Sequence, residues 1–302
     1  MKLLIGGDPE VFLRDTNKDM FISAYDLIPG TKKEPHKVKS GAIQVDGTAL
    51  EINIDPAATA EEFDDNIETV LNEARGFLPE NIELEFKPVI HYEPEYFKTL
   101  NPVSLELGCN PDYRATDGQR NGMPRPRGTM RTAAGHISLG WGDSMDVMDA
   151  QHFWDCRQMC IRLDKYFSHY KPLFDNDNER YNMYGRHGAF RPKPFGVEFR
   201  ALSNVWVAHR PLRRWVFDSA KWVFDHAVNG GAINLYATQR NSGYIGYDRH
   251  YTIICPAPTV SSCDEATASY FNKKDFPKFP SDITPPQVPE LLYDRNGRSI
   301  SG

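Results

Sequence analysis

The chain has 302 residues, 40% of them hydrophobic, and a formal net charge of −6. Its apolar residues fall in periodic runs, so a sizeable core is expected in one large domain or two moderate ones, which excludes a disordered chain. The charge excludes the bulk positive signature of a nucleic-acid binder while leaving room for a local basic cleft.

The opening, MKLLIGGDPEVFLRD, runs into Gly6-Gly7 and then alternates, with Asp8, Glu10 and Phe12 on one side and Pro9, Val11 and Leu13 on the other. Residues two apart on a strand share a face with Cα atoms about 6–7 Å apart, and carboxylates held that close repel unless a cation or base sits between them. Lys2-Leu3-Leu4-Ile5 is too short for a signal-peptide core. "GAIQVDGTALEINID" reads as two strand pieces about Asp46-Gly47, with Glu51, Asn53 and Asp55 on one face. "TAEEFDDNIETVLNEARGFL" reads as a helix capped by Thr59, with Glu62 completing a capping box. Phe63, Ile67, Val70, Leu71 and Ala74 form its apolar stripe. "IELEFKPVI" alternates as a strand.

Residues 101–131 are irregular and rich in Gly, Pro and Arg, fitting either a loop over an acidic ligand or a solvated surface loop. "TAAGHISLGWG" is a strand carrying His136 and Ser138. A second helix, "DVMDAQHFWDCRQMCIRLDKYF", turns Phe153, Cys156, Cys160, Leu163 and Phe167 inward. "NMYGRHGAFRPKPFGVEFRALSN" follows as the densest polar stretch, and Pro211 then starts a third helix ending near Gly230. The chain reads as a single domain over residues 1–302, with 265–302 as a Pro-rich C-terminal extension. Hairpins interleaved with helices indicate α+β, not a doubly wound sheet.

Four strand-like segments thus carry acidic or imidazole groups: Asp8 with Glu10, Glu51, His136, and Glu198. Asp46 is a weaker member at a turn. Carboxylate oxygens are what hard divalent cations such as Mg²⁺ take. Arg186, Arg191, Lys193 and Arg200 lie close together, and guanidinium forks suit phosphate oxygens. Together they suggest phosphoryl transfer from a nucleotide. Plainer alternatives stay open: an exposed salt-bridged face for Glu198 and Arg200, a core histidine for His136, and a loop residue for His187. Walker A, GxGxxG and G-x-S-x-G signatures are absent. Five cysteines, at 109, 156, 160, 255 and 263, form no CxxC pair, which fits a reducing cytoplasm. No apolar run approaches the roughly 18 residues of a membrane span.

The segments "GGDPEVF", "DGTALEINIDP", "TAAGHISLG" and "GRHGAFRPKPFGVEFRALSN", in that order, resemble the phage- and bacterial-type carboxylate–amine ligases (COOH·NH2 ligase type 2), relatives of glutamine synthetase and glutamate–cysteine ligase. "VEFR" is the most specific of the matching stretches. The resemblance implies a glutamine synthetase-like fold: one curved antiparallel sheet, helices on its outer face, and ATP with Mg²⁺ or Mn²⁺ inside. It implies Asp8, Glu10, Glu51, His136 and Glu198 as metal ligands. Asp8 stands where glutamine synthetase usually has Glu. His136, Arg186, Arg191 and Lys193 would hold nucleotide phosphate, and Arg200, Arg191 and Glu198 would serve catalysis. The implied reaction passes through an acyl phosphate and joins a carboxylate to an amine. Relatives form rings or dimers, so a homo-oligomer is a further expectation, as is the host cytoplasm if the chain is phage-encoded. A metal-dependent phosphotransferase and a non-catalytic binding or structural protein are the alternatives.

Overall fold

The computed structural model describes residues 2–105, 112–123, 127–175, 178–230 and 259–283. Expectations for Cys109, Cys255, parts of the Arg-rich loop (106–111 and 124–126) and 284–302 of the extension lie outside the described residues.

Strands β1 (Leu4–Gly7) and β2 (Glu10–Asp15) are one run interrupted at Asp8-Pro9, where Pro9 has no N–H to donate. The backbone stays paired through the gap: Asp8 N–H donates to His136 O at 3.4 Å and Glu10 N–H to Ala134 O at 2.8 Å. β3 (Met20–Ile22) folds back on β2, and β4 (His36–Val38), β5 (Gly41–Asp46) and β6 (Ala49–Ala57) form a meander. Gly47 makes the β5–β6 turn possible at φ 59°, a left-handed conformation that suits glycine. Helix α1 (Ala60–Arg75) starts at Thr59, whose side chain accepts from Glu62 N–H at 3.2 Å. The Glu62 carboxylate accepts from the Ala58 N–H at 2.8 Å, one residue beyond the Thr59 N–H that the expected capping box would use.

β7 (Ile82–Glu85) pairs with β2; β8 (Val89–His91) and short helices α2 (Pro94–Thr99) and α3 (Pro102–Leu105) follow. Next come β9 (Tyr113–Arg114), β10 (Met130–Thr132), β11 (Ile137–Gly140), α4 (Ala150–Tyr170) and α5 (Asn178–Met183). β12 (Ala189–Lys193), β13 (Gly196–Phe199), α6 (Arg210–Asn229) and α7 (Val260–Phe271) complete the described elements.

The larger sheet runs β3-β2-β6-β1-β11-β13-β12-β9, with β5 also on β6, β4 on β5 and β7 on β2; β8 and β10 pair separately. Its strand pairings are antiparallel. Alternation decides its two faces. Leu50, Ile52 and Ile54 of β6, with Val197 and Phe199 of β13, enter one core with Phe63, Ile67 and Val70 of α1 and the inward residues of α4 and α6. The intervening Glu51 and Glu198 leave on the opposite, polar face. Residues 272–283 fold over α4 and α6: Tyr166 Oη and Trp215 Nε1 both donate to Pro277 O, at 2.9 and 3.4 Å, and Phe279 stacks on Tyr170.

The chain does not adopt the glutamine synthetase-like fold expected from its sequence. The fold is a mixed α+β one with two open, unclosed sheets among the described residues, rather than a single curved sheet. The division is physical. β8 and β10 pair with each other at the side of a satellite core of Phe12, Ala49, Ile90, Tyr92 and Ala133. The large sheet ends separately at β3 and β9.

Candidate metal centre

The polar face collects groups from strands that are distant in sequence. Antiparallel register sets Glu10 opposite Glu51, Gln44 opposite Glu51, Ser138 opposite Glu198 and Arg191 opposite Glu198. The metal-ligand candidates are brought together in two clusters, each able to hold a metal ion: Asp8 with His136 and Glu198, and Glu10 with Asp46 and Glu51. Within each, the potential ligand atoms lie within 4.8 Å of one another.

The first cluster centres on His136, which is 3% exposed and follows Gly135 at the entry to β11. Its Nδ1 lies 3.8 Å from Asp8 Oδ1 and 3.8 Å from Glu198 Oε1. Those separations are too long for hydrogen bonds, and the three donor atoms converge on a space bordered by Arg200 Nη1, which contacts Glu198 Oε1 and lies 3.5 Å from His136 Nδ1. Asp8 Oδ1 and His136 Nε2 are buried without a hydrogen-bond partner, a costly state for polar atoms. Burial and the nearby Arg200 charge push the imidazole down to about 3, so it is neutral with a lone pair available. Burial alone would raise the Asp8 carboxyl; His136, Arg200 and Lys193 outweigh it and hold the group well below the usual carboxylate range. An anionic carboxylate, a neutral imidazole and an enclosed glutamate form a donor set that fits a divalent cation.

Glu198 has no exposed side-chain surface and sits among cations. Arg200 Nη1 and Lys193 Nζ contact its two oxygens, and Arg191 Nη1 is 3.5 Å from Oε1. The pairing of Glu198 with Arg200 is therefore buried, unlike the exposed strand face that the sequence also allowed. Burial lowers the Lys193 ammonium. Arg200 Nη2 donates to Tyr184 Oη, and its Nε lies 3.3 Å from Asp112 Oδ2.

The second cluster is carboxylate only. Gln44 Nε2 donates to Glu51 Oε1 at 2.8 Å, Ala134 N–H donates to Glu10 Oε2 at 2.8 Å, and Lys32 Nζ lies 2.5 Å from Asp46. Burial, and then the neighbouring Asp46, push Glu10 up to about 7. Burial and the charges of Asp8, Asp46 and Glu10 push Glu51 well above the carboxylate range.

Arg186 and His187 are exposed in the turn between α5 and β12, outside both clusters. Of the Arg-rich loop, Arg114 pairs with Asp117 at 2.9 Å and Arg131 packs over Phe97 at 4.7 Å. Sequence reasoning missed Asp112, Tyr184, Lys32 and Gln44. Gln44 had a signal, since it shares a strand face with Asp46 in a hairpin; the other three required the tertiary structure. No helix among the described residues is long and apolar enough to cross a membrane. No family model matches the chain, and no curated protein matches it.

Proposed function

We propose that the chain is a Mg²⁺- or Mn²⁺-dependent enzyme that uses ATP to join a carboxylate to an amine. One observation carries this: two carboxylate-rich clusters share a polar sheet face with the cations Arg191, Lys193 and Arg200. The proposal rests on that site and on the resemblance of its strands, and takes nothing from the overall architecture. Asp8, His136 and Glu198 would hold one ion and Glu10, Asp46 and Glu51 another. Bound divalent ions would neutralise phosphate charge as it develops. Arg191, Lys193 and Arg200 would exchange their contacts with Glu198 for phosphate oxygens. A substrate carboxylate oxygen would bond to the γ-phosphorus as ADP leaves. The neutral amine nitrogen would then bond to the acyl carbon as phosphate leaves, both partners held in one site.

The test is calorimetric titration of a non-hydrolysable ATP analogue with and without Mg²⁺, on the wild-type chain and on Glu198→Gln. Binding that needs Mg²⁺ and weakens in the variant is expected, with ATP cleavage to ADP stimulated by an amine in a screen of carboxylate and amine pairs. A folded wild-type chain that binds no nucleotide with any divalent cation would overturn the proposal. ADP release indifferent to every amine would replace the ligase with a phosphotransferase.

A further inference from the structure

The Arg200 guanidinium divides its contacts by edge. Nη1 faces the metal centre, where it meets Glu198 and lies 3.5 Å from His136 Nδ1, and Nη2 meets Tyr184 beside it. Nε meets Asp112 Oδ2 at 3.3 Å. The carboxylate of Asp112 thus holds the guanidinium at Nε, the nitrogen next to the side-chain stem, while Nη1 reaches the cluster.

Asp112 is itself fixed. It is 7% exposed, and its second oxygen, Oδ1, accepts from Asn121 Nδ2 at 2.7 Å. Asn121 N–H also donates to Asp112 O at 2.9 Å. These bonds close a short hairpin in which Tyr113 bridges Arg120 and Gly118 takes φ 72°. β9 in this hairpin pairs with β12, and Arg157 of α4 donates to Ala115 O and Thr116 O at 3.0 Å each. Asp112 therefore rides on a braced platform docked to the edge of the sheet. A carboxylate fixed at both oxygens restricts the rotamers of the guanidinium it contacts, and preorganised charge is worth more to an anion than mobile charge.

We propose that Asp112 is a positioning residue for the anion site: it locks Arg200 through Nε so that the Nη1–Nη2 edge points at the phosphate of the nucleotide. This rests on the ATP-dependent function proposed above and adds to it a residue that touches neither metal nor nucleotide. It also gives the hairpin at 112–121 a role, as the carrier of that lock.

The experiment compares wild type, Asp112→Asn, Asn121→Ala and Arg200→Lys, with Asp112→Asn repeated in the Arg200→Lys background. Each is titrated with Mn²⁺ alone and then with a non-hydrolysable ATP analogue plus Mg²⁺, and each is melted. Asp112→Asn should weaken nucleotide binding about tenfold while Mn²⁺ affinity stays within about twofold, because Asp8, His136 and Glu198 are untouched. Asn121→Ala, which frees the carboxylate without removing its charge, should weaken nucleotide binding by a smaller factor. In the Arg200→Lys background, which has no Nε to hold, Asp112→Asn should have no further effect. Nucleotide binding by Asp112→Asn that is unchanged or tighter overturns the proposal. So does an equal loss in both backgrounds, or a parallel loss of Mn²⁺ and nucleotide binding, either of which would mean a merely structural role. If wild type binds Mn²⁺ but no nucleotide, the function proposed above fails and this assignment with it; if only the variant contrast fails, this assignment falls alone.

Discussion

Glu10 and Glu51 face one another directly across the β2–β6 pairing, two carboxylates in a register position where like charges destabilise a sheet. Burial and Asp46 hold Glu10 at about 7 against an ordinary 4.5. A carboxyl raised in the folded state binds its proton more tightly there than in the unfolded chain. Its stabilising effect is fully present below about 4.5 and is lost as pH rises through about 7. The neutral, buried His136 contributes the opposite slope below about 6.5, so the effect is read as a difference: across that window the cation-free protein should lose melting temperature relative to Glu10→Gln as pH is raised. Mg²⁺ or Mn²⁺ should flatten the dependence and release protons on binding, which calorimetry in buffers of different ionisation enthalpy would detect. A melting curve indifferent to both pH and cation would show that the cluster takes no metal.

Replacing Glu51 by Gln removes one of the facing charges and keeps the shape. Without cation the variant should be more stable than wild type near pH 8, and it should lose affinity for the ion of the second cluster. Thermal melts with and without Mn²⁺ would read both effects. The two moving together in the same direction would contradict a repulsive cluster relieved by an ion.

Asp64 of α1 offers a control far from the polar face. It is fully buried and receives Arg210 Nε at 2.9 Å, Arg214 Nε at 2.8 Å and Arg213 Nη1 at 3.4 Å, all from α6. Asp64→Ala leaves the enclosed Arg213 without this partner and should cost about 3 kcal/mol in urea unfolding. Mn²⁺ affinity of the folded fraction should stay at the wild-type value. Impaired metal binding there would mean that the helix layer and the polar face are coupled.

Gly135, next to His136, has no room for a side chain: a Cβ would strike the Ser203 carbonyl oxygen and the Trp206 indole nitrogen. Trp206 Nε1 already donates to Gly135 O at 3.1 Å. Gly135→Ala should displace the entry to β11, lower the melting temperature and weaken metal binding together. A melt and a Mn²⁺ titration equal to wild type would show that the backbone there yields freely.

Alternation made much of the site legible in advance. In "ALEINID" the apolar Leu50, Ile52 and Ile54 mark the helix-facing side, so Glu51 had to leave on the other. The same holds for Glu198 between Val197 and Phe199. Thr59, Phe63 and Ile67 announced α1 just as directly. Architecture was less legible, because a strand pattern states which side each residue takes but not which strands adjoin or whether a sheet closes. That is why two open sheets stand where one curved sheet was expected. It is also why Asp8 and Glu10, two apart in sequence, went to different clusters: Asp8 lies toward β11 and β13, while Glu10 pairs with β6. Asp112 carried no periodic signal at all, since its partner Arg200 is 88 residues away.

The segment folded over the α4–α6 seam bears on how the chain is made. Tyr166 and Trp215 both place a donor on Pro277 O, and Phe174 and Tyr170 complete their ring packing with Phe279. During synthesis these aromatic rings emerge from the ribosome well before residues 277–279 do, and domains fold in the order in which they emerge. An apolar seam thus stays uncovered until residues 277–279 emerge, a transient exposure of the kind that chaperones shield. A chain cut after residue 275 would hold that state permanently, and persistent binding of a hydrophobic dye would reveal it. Dye binding no greater than that of the full chain would mean that the seam closes on its own.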